Sequence, residues 1–532
     1  MVKREVRQEP SIRALGASRP GLSRLSFCMQ MSRLVPALML GALAFAGALE
    51  ITSGAGPGLD PDSMSYLIAA HSLTHGGTLR DVDRDWFAAD STMPLAHWPP
   101  GYPIAIAGAE RSGVGGIDGA RIIGALAAFV SIAAIVWLVS GAADVGTGIV
   151  AAVVVMVTPA VVQVHESVLS EPLFIALLVL TLWAMVRAPD RPLVAGVFAG
   201  LASIVRYAGV SLVGAAIIWT LLRAGSLRQR IARAVVVGIP AVVLQGAWVL
   251  RTMHSAGPRS IRELSVYGEI TSTLREGWAT ASAWLVPGMG QSLGIFVAAG
   301  VAVLVVVAIW ESRRIGTVSR AVLAIALLAG CYVALVLASR IIADPGIPLD
   351  DRMMAPLLVL LEIAIVLAVV PAWRGWPRAG RIALVIALVA WCAAALRVSV
   401  DSARYAVGTG NDFAEDCWRD SPVAAWVRAN GAGRALYSNV PEALYFHAHR
   451  LSHEPPDDID ATTMRAFADT LARRRALLVV FDETCGALAS SVDSMLPSLP
   501  LREVAALPTG RIFETLGDGA ASATVPSDTS GR

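Results

Sequence analysis

The sequence predicts a polytopic α-helical membrane protein with about eleven transmembrane helices, followed by a small α/β domain. Of its 532 residues, 55% are hydrophobic and only 16% are charged, whereas soluble domains carry about 25% charged residues. Apolar stretches of about 17 to 25 residues, long enough to cross a bilayer, recur between short loops rich in Arg, Gly and Pro. After residue 400, short apolar strands alternate with amphipathic helices, as in an α/β domain.

The spans are predicted from apolar runs, and the loops between them predict the orientation. Basic clusters at 223–233, 313–320 and 374–381 occupy alternate loops, so the positive-inside bias makes those loops cytoplasmic. The predicted spans are Leu34–Ile51, Ala120–Val139, Gly146–Val164, Pro172–Val186, Leu193–Val205, Val210–Leu222, Ala234–Leu250, Ser292–Trp310, Ala321–Ser339, Met354–Val370 and Ile382–Val398.

This orientation divides the chain into four regions and predicts a multi-pass protein of the inner, or cytoplasmic, membrane. Residues 1–33 form a basic cytoplasmic tail, and residues 34–400 form the transmembrane domain with a first outer loop at 52–119. Residues 401–516 form the extracytoplasmic α/β domain. Residues 517–532 are rich in Ser, Ala, Gly and Asp and are predicted to be disordered.

The segment Gly101–Gly116 has two interpretations. Glu110 and Arg111 shorten its apolar run below the length of a span, which favours an interfacial or re-entrant helix. If it crossed the membrane instead, residues 193–222 would form one long helix and residues 165–171 would move to the cytoplasmic side. We prefer the first interpretation because it gathers more acidic and basic loop residues on one face.

Net charge and cysteine content say little about function. The formal net charge of +2 gives no indication of nucleic-acid binding. The five cysteines lack the spacing of a metal site. Cys417 and Cys485 both lie in the C-terminal domain, where a disulfide is possible if that domain is outside the cytoplasm.

The first outer loop carries the strongest chemical signal. Asp60 and Asp62 follow the first span directly and precede a short helix that contains Tyr66. A carboxylate at the bilayer surface can act as a general base for an acceptor hydroxyl, because partial desolvation raises its basicity. Alternatively, Asp62 followed by Ser63 could simply cap the helix that begins there.

These residues belong to an ordered series of short motifs that resembles the GT-C superfamily of membrane glycosyltransferases. The series comprises Asp-x-x-x-Tyr at 62–66, HWPPGYP at 97–103, VHESVLSEPLF at 164–174, RYAG at 206–209 and LDDRMMAP at 349–356. The superfamily includes protein O-mannosyltransferases and the lipid A aminoarabinose transferases. The resemblance implies a GT-C-like transmembrane domain in which Asp62 is the catalytic base, with Asp60 a weaker alternative.

The resemblance also implies roles for residues of the second outer loop. Glu171 corresponds to an acidic residue before a span and is a further catalytic candidate. An ionisable group there should face a polar cavity or a cation, and Glu166 and His165 are close enough to share that role. His97 lies close to a metal-ligand position of the aminoarabinose transferases, so a divalent metal at His97 and Glu171 is one expectation. The alternatives are an interfacial His beside Trp98 and a helix N-terminal Glu favoured by the helix dipole.

Two arginines are candidates for binding the donor phosphate, together with Tyr66. Arg206 interrupts two short apolar runs, and Arg352 precedes a span. A guanidinium can hold a phosphate with two donors and stabilise the departing charge. Alternatively, Arg206 is one snorkelling residue in a single long helix.

The resulting functional hypothesis is inverting transfer of a sugar from a polyprenyl-phosphate donor to an acceptor hydroxyl on the outer face. The expected partners are that donor, membrane lipids, and an envelope glycan, lipid or protein as acceptor. The alternatives are a transporter of lipid-linked or polar substrates, an envelope glycopolymer ligase or polymerase, and a non-catalytic scaffold. The sequence shows no internal repeat of the kind that would favour a transporter.

Overall fold

The computed structural model describes residues 20–256, 266, 270–284, 316–482, 485 and 492–516. The predicted span Ser292–Trp310 and the predicted disordered residues 517–532 lie outside the described residues, as does most of the basic tail. The helices up to the C-terminal domain are α1 Pro20–Ile51, α2 Pro61–Gly76, α3 Gly101–Arg111, α4 Gly116–Ala142, α5 Val145–Val157, α6 Pro159–Glu166, α7 Glu171–Arg187, α8 Pro192–Val205, α9 Val210–Leu221, α10 Leu227–Ala256, α11 Ile270–Ala283, α12 Gly316–Ile342, α13 Asp351–Ala372 and α14 Arg378–Thr409.

The prediction of a polytopic helical membrane protein is confirmed. Six of the described helices are long and apolar enough to cross a membrane: α1, α4, α10, α12, α13 and α14. The pair α5 and α6 makes a seventh candidate, bent by 58° at its break. The break coincides with Pro159, which cannot continue the hydrogen-bonding pattern of the preceding helix. The total of about eleven spans stays a prediction.

Helices α8 and α9 form an antiparallel hairpin rather than one long helix. The Arg223 guanidinium, just after α9, pairs with the Asp190 carboxylate, just before α8, at 3.3 Å. At the other end, Gly209 lies so close to Ala202 that a Cβ atom there would meet the Ala202 carbonyl carbon at 2.3 Å. The tight tip therefore requires glycine, and it projects Arg206 from the end of the hairpin.

Helix α3 is too short to cross a bilayer. Its 11 residues span about 16 Å, roughly half of a hydrocarbon core. The chain then turns at Gly113, which has φ +86°, before α4 begins at Gly116. With α8 and α9 forming a hairpin, this geometry supports the interfacial interpretation of Gly101–Gly116.

Close packing of apolar side chains forms the core of the helical bundle. Ile135, Leu178 and Tyr332, from α4, α7 and α12, are almost fully buried in one continuous hydrophobic cluster. Small residues let helix backbones approach closely, as is common in membranes: a Cβ atom at Gly196 would meet the Val237 carbonyl oxygen at 2.5 Å. The bundle is thus a closely packed support for the residues at its ends.

The C-terminal domain is an α/β unit that begins after α14, which continues past residue 400 to Thr409. Its mixed sheet has the order β3-β4-β6-β5, with β3 parallel to β4 and the other neighbours antiparallel. Cys417 and Cys485 form a disulfide in this domain. Its elements are α15 Asp416–Arg419, α16 Pro422–Asn430, β3 Leu436–Ser438, α17 Pro441–Ala443, α18 Ala461–Arg474, β4 Leu477–Phe481, α19 Val492–Met495, β5 Leu501–Leu507 and β6 Gly510–Thr515.

This domain packs on the first outer loop. The loop contains a two-stranded antiparallel sheet, β1 Arg80–Val82 and β2 Thr92–Pro94. The Arg84 guanidinium, just after β1, pairs with Glu442 at 2.7 Å and with Glu454 at 2.6 Å. The loop that carries the candidate site residues is therefore held between the helical bundle and the C-terminal domain.

Candidate active site

Four chain segments bring charged side chains together at one end of the helical bundle. They are the start of α2, the start of α7, the tip of the α8–α9 hairpin and the start of α13. Each segment begins or ends a helix, where backbone groups lack intrahelical partners and polar residues are favoured. The five residues that converge there are Asp60, Asp62, Glu171, Arg206 and Arg352.

Arg352 lies at the centre of this cluster. Its Nη1 donates to Asp60 Oδ2 at 3.0 Å, and its Nη2 donates to Asp62 Oδ2. Its Nε donates to Glu171 Oε1 at 2.5 Å. One guanidinium therefore joins three carboxylates from two distant segments, which fixes the start of α13 against α2 and α7.

Arg206 also pairs with the Glu171 carboxylate. Its Nη1 lies 2.7 Å from Glu171 Oε1 and donates to Ser170 Oγ at 3.0 Å. Its Nη2 donates to the Met353 thioether sulfur at 3.6 Å, and a thioether is only a weak acceptor. Tyr66 completes the group, because its hydroxyl lies 3.3 Å from Ser170 Oγ. Burial raises the pKa of Tyr66, so the phenol remains protonated and can donate.

The two aspartates of α2 have different local roles. Asp60 caps the helix: its Oδ1 accepts from the Asp62 amide at 3.1 Å, and Ser63 Oγ accepts from the Asp60 amide at 3.0 Å. The alternative interpretation, in which Asp62 with Ser63 is the cap, is therefore wrong. Burial raises the pKa of Asp60 to about 6, against the lowering effect of Arg352.

A cavity of about 550 Å³ opens beside the cluster. Asp62, Arg206 and Arg352 line it, together with Tyr66 and His97. Apolar side chains from the ends of α8 and α12 continue its wall toward the helical bundle: Val205, Leu335 and Val336. The cavity can thus accept a molecule with a charged head and an apolar tail.

The predicted metal site at His97 and Glu171 fits these residues poorly. Glu171 Oε1 accepts from two guanidiniums, and Glu171 Oε2 accepts from Ser170 Oγ at 3.3 Å. A cation at this carboxylate would meet two positive charges at close range. Within the described ranges, no group of three His, Cys, Asp or Glu side chains close enough to share an ion includes His97. We therefore assign no chemical step to a metal.

One family model and several solved structures are similar to this chain. The family model described as dolichyl-phosphate-mannose-protein mannosyltransferase matches residues 97–248. The structure of ArnT from Cupriavidus metallidurans bound to undecaprenyl phosphate is similar at a TM-score of 0.56 and 13% identity, covering 95% of this chain and 99% of that one. The chain has the fold of this ArnT structure, and the predicted GT-C-like fold is confirmed.

Two further solved structures share this fold. AglB from Archaeoglobus fulgidus, in complex with an inhibitory peptide and a dolichol phosphate, has a TM-score of 0.52 at 11% identity and covers 92% of this chain and 75% of that one. The mycobacterial arabinofuranosyltransferase AftD has a TM-score of 0.50 at 17% identity, covering 91% of this chain and 42% of that one. No curated protein sequence matches the chain.

Two residues of the second outer loop do not join the charged cluster around Arg352. Glu166 is buried and accepts from Ser402 Oγ at 3.0 Å and from Asn411 Nδ2 at 3.1 Å. His165 lines a separate, mostly apolar cavity between α1, α4, α6 and α14. The expectation that both could share the role of Glu171 is wrong, because Glu166 is held by Ser402 and Asn411 and His165 faces the other cavity.

The structure also brings in residues that sequence reasoning missed. The Ser170 hydroxyl is hydrogen-bonded to Arg206, Tyr66 and Glu171. Its position directly before Glu171 is the one feature of the sequence that could have indicated this role. Asp412, in the segment after α14, pairs with Leu59 as an isolated parallel bridge next to Asp60. Burial raises the pKa of Asp412, and Arg352 lowers it. No motif marked Asp412, because it arrives from a distant domain.

Proposed function

We propose that this protein is an inverting glycosyltransferase that moves a sugar from a polyprenyl-phosphate donor to an acceptor hydroxyl on the outer face of the membrane. The observation that carries the proposal is the single cavity lined by Asp62, Arg206 and Arg352, with apolar walls that continue into the helical bundle. The carboxylate can accept the proton of the attacking hydroxyl. The two guanidiniums can stabilise the negative charge of the phosphate that leaves the anomeric carbon.

Asp62 is the general base in this mechanism. It lines the cavity, whereas Asp60 caps α2 and holds Arg352. The Asp62 side chain is 18% exposed, so a substrate can reach it. Asp62 accepts the proton of the acceptor hydroxyl as the oxygen attacks the anomeric carbon, and the bond to the phosphate oxygen breaks on the opposite face. The configuration at the anomeric carbon is therefore inverted.

Arg206 binds the departing phosphate. Phosphate needs no general acid to leave, because positive charge stabilises it. Arg206 Nη2 donates only weakly to the Met353 thioether, and its side chain is 12% exposed toward the cavity. A phosphate oxygen is a far stronger acceptor than a thioether. Arg352 adds positive charge while holding three carboxylates, and Tyr66 supports the phosphate site through Ser170.

The lipid part of the donor lies along the apolar wall formed by Val205, Leu335 and Val336. The similar ArnT structure contains undecaprenyl phosphate, and the similar AglB structure contains a dolichol phosphate. Those ligands support a polyprenyl-phosphate donor for this chain as well. The matching mannosyltransferase model and the arabinofuranosyltransferase neighbour support a hexose or a pentose as the transferred sugar.

The alternating basic loops and the disulfide Cys417–Cys485 support an extracytoplasmic position for the site and for the C-terminal domain. The acceptor then comes from the cell envelope, as a glycan, lipid or protein hydroxyl. The protein would reside in the inner membrane with its N-terminus in the cytoplasm.

Reconstituted protein tests this proposal with radiolabelled polyprenyl-phosphate sugars and cell-envelope acceptors. The wild type should transfer label, and the product's anomeric configuration should be opposite to that of the donor. Asp62→Asn should lower the rate by about 10² to 10⁴, the usual contribution of general base catalysis. Asp90→Asn, an exposed residue of the same loop, is the matched control and should keep full activity. Undiminished transfer by Asp62→Asn would overturn the assignment.

A further inference from the structure

Two histidines and a glutamate outside the candidate active site form a second group of ligating side chains. His71 and His75 lie near the C-terminal end of α2, and Glu110 lies near the C-terminal end of α3. One ligand atom from each lies within 4.8 Å of the others. His71 is nine residues beyond Asp62, about 14 Å along the helix, so this group is distinct from the cluster around Arg352.

The spacing of the two histidines suits one metal ion. Residues four positions apart lie on the same face of a helix, one turn above the other. The two imidazole rings accordingly have centroids 4.1 Å apart. Both rings are exposed, so an ion in solution can reach them.

The hydrogen bonds of His75 prepare it for coordination. Its Nδ1 lies 3.1 Å from the His71 carbonyl oxygen. A carbonyl can only accept, so Nδ1 carries the hydrogen in the neutral ring and Nε2 has a lone pair. Metal-binding histidines commonly donate their second ring N–H to a backbone carbonyl in this way, which fixes the ring orientation.

Glu110 supplies the third ligand. Its Oε2 is buried and has no hydrogen-bond partner among the described residues. A buried carboxylate oxygen without a partner is costly, and such atoms require an explanation. A cation held between the Glu110 carboxylate and the two imidazoles would give this carboxylate a partner.

Other contacts hold the two helices in the arrangement that this ion needs. The Arg111 guanidinium, next to Glu110, donates to the Leu73 carbonyl oxygen at 3.0 Å. The Thr74 hydroxyl donates to the Ala107 carbonyl oxygen at 3.5 Å. These two hydrogen bonds therefore link α2 to α3 close to the three ligands.

We propose that His71, His75 and Glu110 bind a zinc ion that joins α2 to α3. Two imidazoles and one carboxylate are a common ligand set for Zn²⁺, with water as the fourth ligand. The ion holds the far end of α2, the helix that Asp60 caps and whose first turn carries Asp62, against the short helix α3. This inference does not depend on the proposed glycosyl transfer.

The test uses the full-length protein, purified with a tag that contains no histidine, stripped with a chelator and titrated with Zn²⁺ by calorimetry. The wild type should bind one ion per chain. His71→Ala, His75→Ala and Glu110→Gln should each bind at least about 10-fold more weakly, since even outer-shell changes cost 10- to 100-fold. His254→Ala, another exposed histidine, is the matched control and should bind as the wild type does.

Thermal unfolding separates loss of the ion from loss of the fold. In chelator, the ligand variants should unfold at the temperature of the wild type. Added Zn²⁺ should raise the midpoint of the wild type and of His254→Ala, and leave the ligand variants unchanged, because an ion that binds only the folded state stabilises it. Equal zinc affinity in the wild type and all three ligand variants, or no stoichiometric binding by the wild type, would overturn the proposal.

Discussion

Glu166 and Glu171 lie five residues apart in the second outer loop, and both are buried, yet their surroundings differ completely. Glu166 accepts from two neutral groups, Ser402 Oγ and Asn411 Nδ2. Glu171 faces two guanidiniums, Arg206 and Arg352, on the wall of a cavity. The comparison shows that the role of an acidic loop residue depends on which distant segments fold against it.

The local backbone explains how two neighbouring carboxylates diverge. Glu166 is the last residue of α6, and Ser167 is extended, so that Gly58 and Ser167 pair as an isolated bridge. Glu171 is the first residue of α7, where a carboxylate also interacts favourably with the helix dipole. The turn between them directs the Glu166 side chain toward Ser402 and Asn411 and the Glu171 side chain toward Arg206 at the hairpin tip.

The largest expected effect comes from Glu171→Gln. Removing the charge leaves Arg206 and Arg352 without a shared counter-ion, and breaking one partner of a buried ion pair costs about 3 to 5 kcal/mol. We expect a lower thermal unfolding midpoint and transfer reduced by at least about 10²-fold. Unfolding in detergent and the radiolabel transfer assay measure the two effects. Normal transfer by a stably folded Glu171→Gln protein would contradict the role of the cluster.

A smaller, pH-dependent effect is expected from Asp60→Asn. The pKa of Asp60 rises from 3.8 to about 6 on folding, so the folded protein must ionise a buried carboxyl as the pH rises through 6. The stabilising contribution of the protonated carboxyl is complete below pH 3.8 and is lost by about pH 7. Asparagine avoids this cost and can still cap α2.

The wild type should therefore lose stability relative to Asp60→Asn by about 2 kcal/mol between pH 4 and pH 7. Unfolding midpoints of both proteins across this range measure the difference. Asp90→Asn serves as the control and should follow the wild type at every pH. A constant difference between wild type and Asp60→Asn would show that Asp60 does not titrate in this window.

The smallest effect is expected from Glu166→Gln. The amide has the same shape, and its oxygen can still accept from Ser402 or Asn411, so the change in stability should be within about 1 kcal/mol. Transfer should stay within a few-fold of the wild-type rate. Because Glu166→Gln repeats the Glu171→Gln substitution five residues away, a large loss of transfer here would remove the distinction between the two carboxylates.

The sequence predicted much of this architecture because hydropathy and helix interruptions are local properties. Arg206 between two apolar runs predicted the break that the α8–α9 hairpin confirms. Glu110 and Arg111 predicted that α3 would be too short to span. The chain order of Asp62, His97, Glu171, Arg206 and Arg352 predicted one site on one side of the membrane. Ion pairs join four of these residues, and His97 lines the cavity beside them.

Other features depend on tertiary contacts that no local pattern encodes. Asp60 and Asp62 are two residues apart, and only the capping geometry distinguishes the cap from the residue facing the cavity. Asp412 reaches the site from beyond α14, where the sequence carries no motif. His97 lines the cavity, but among the described residues it belongs to no group of three side chains that could share a metal ion. Glu171, its predicted partner ligand, is held by two arginines instead.

A structure determined with bound polyprenyl phosphate would show directly whether Arg206 and Arg352 bind the donor phosphate. We expect the phosphate in the cavity beside Asp62, with Arg206 Nη2 donating to a phosphate oxygen in place of the Met353 sulfur. The lipid should follow Val205, Leu335 and Val336. A phosphate bound away from Arg206 and Arg352, with the carboxylate cluster undisturbed, would contradict the proposed donor site.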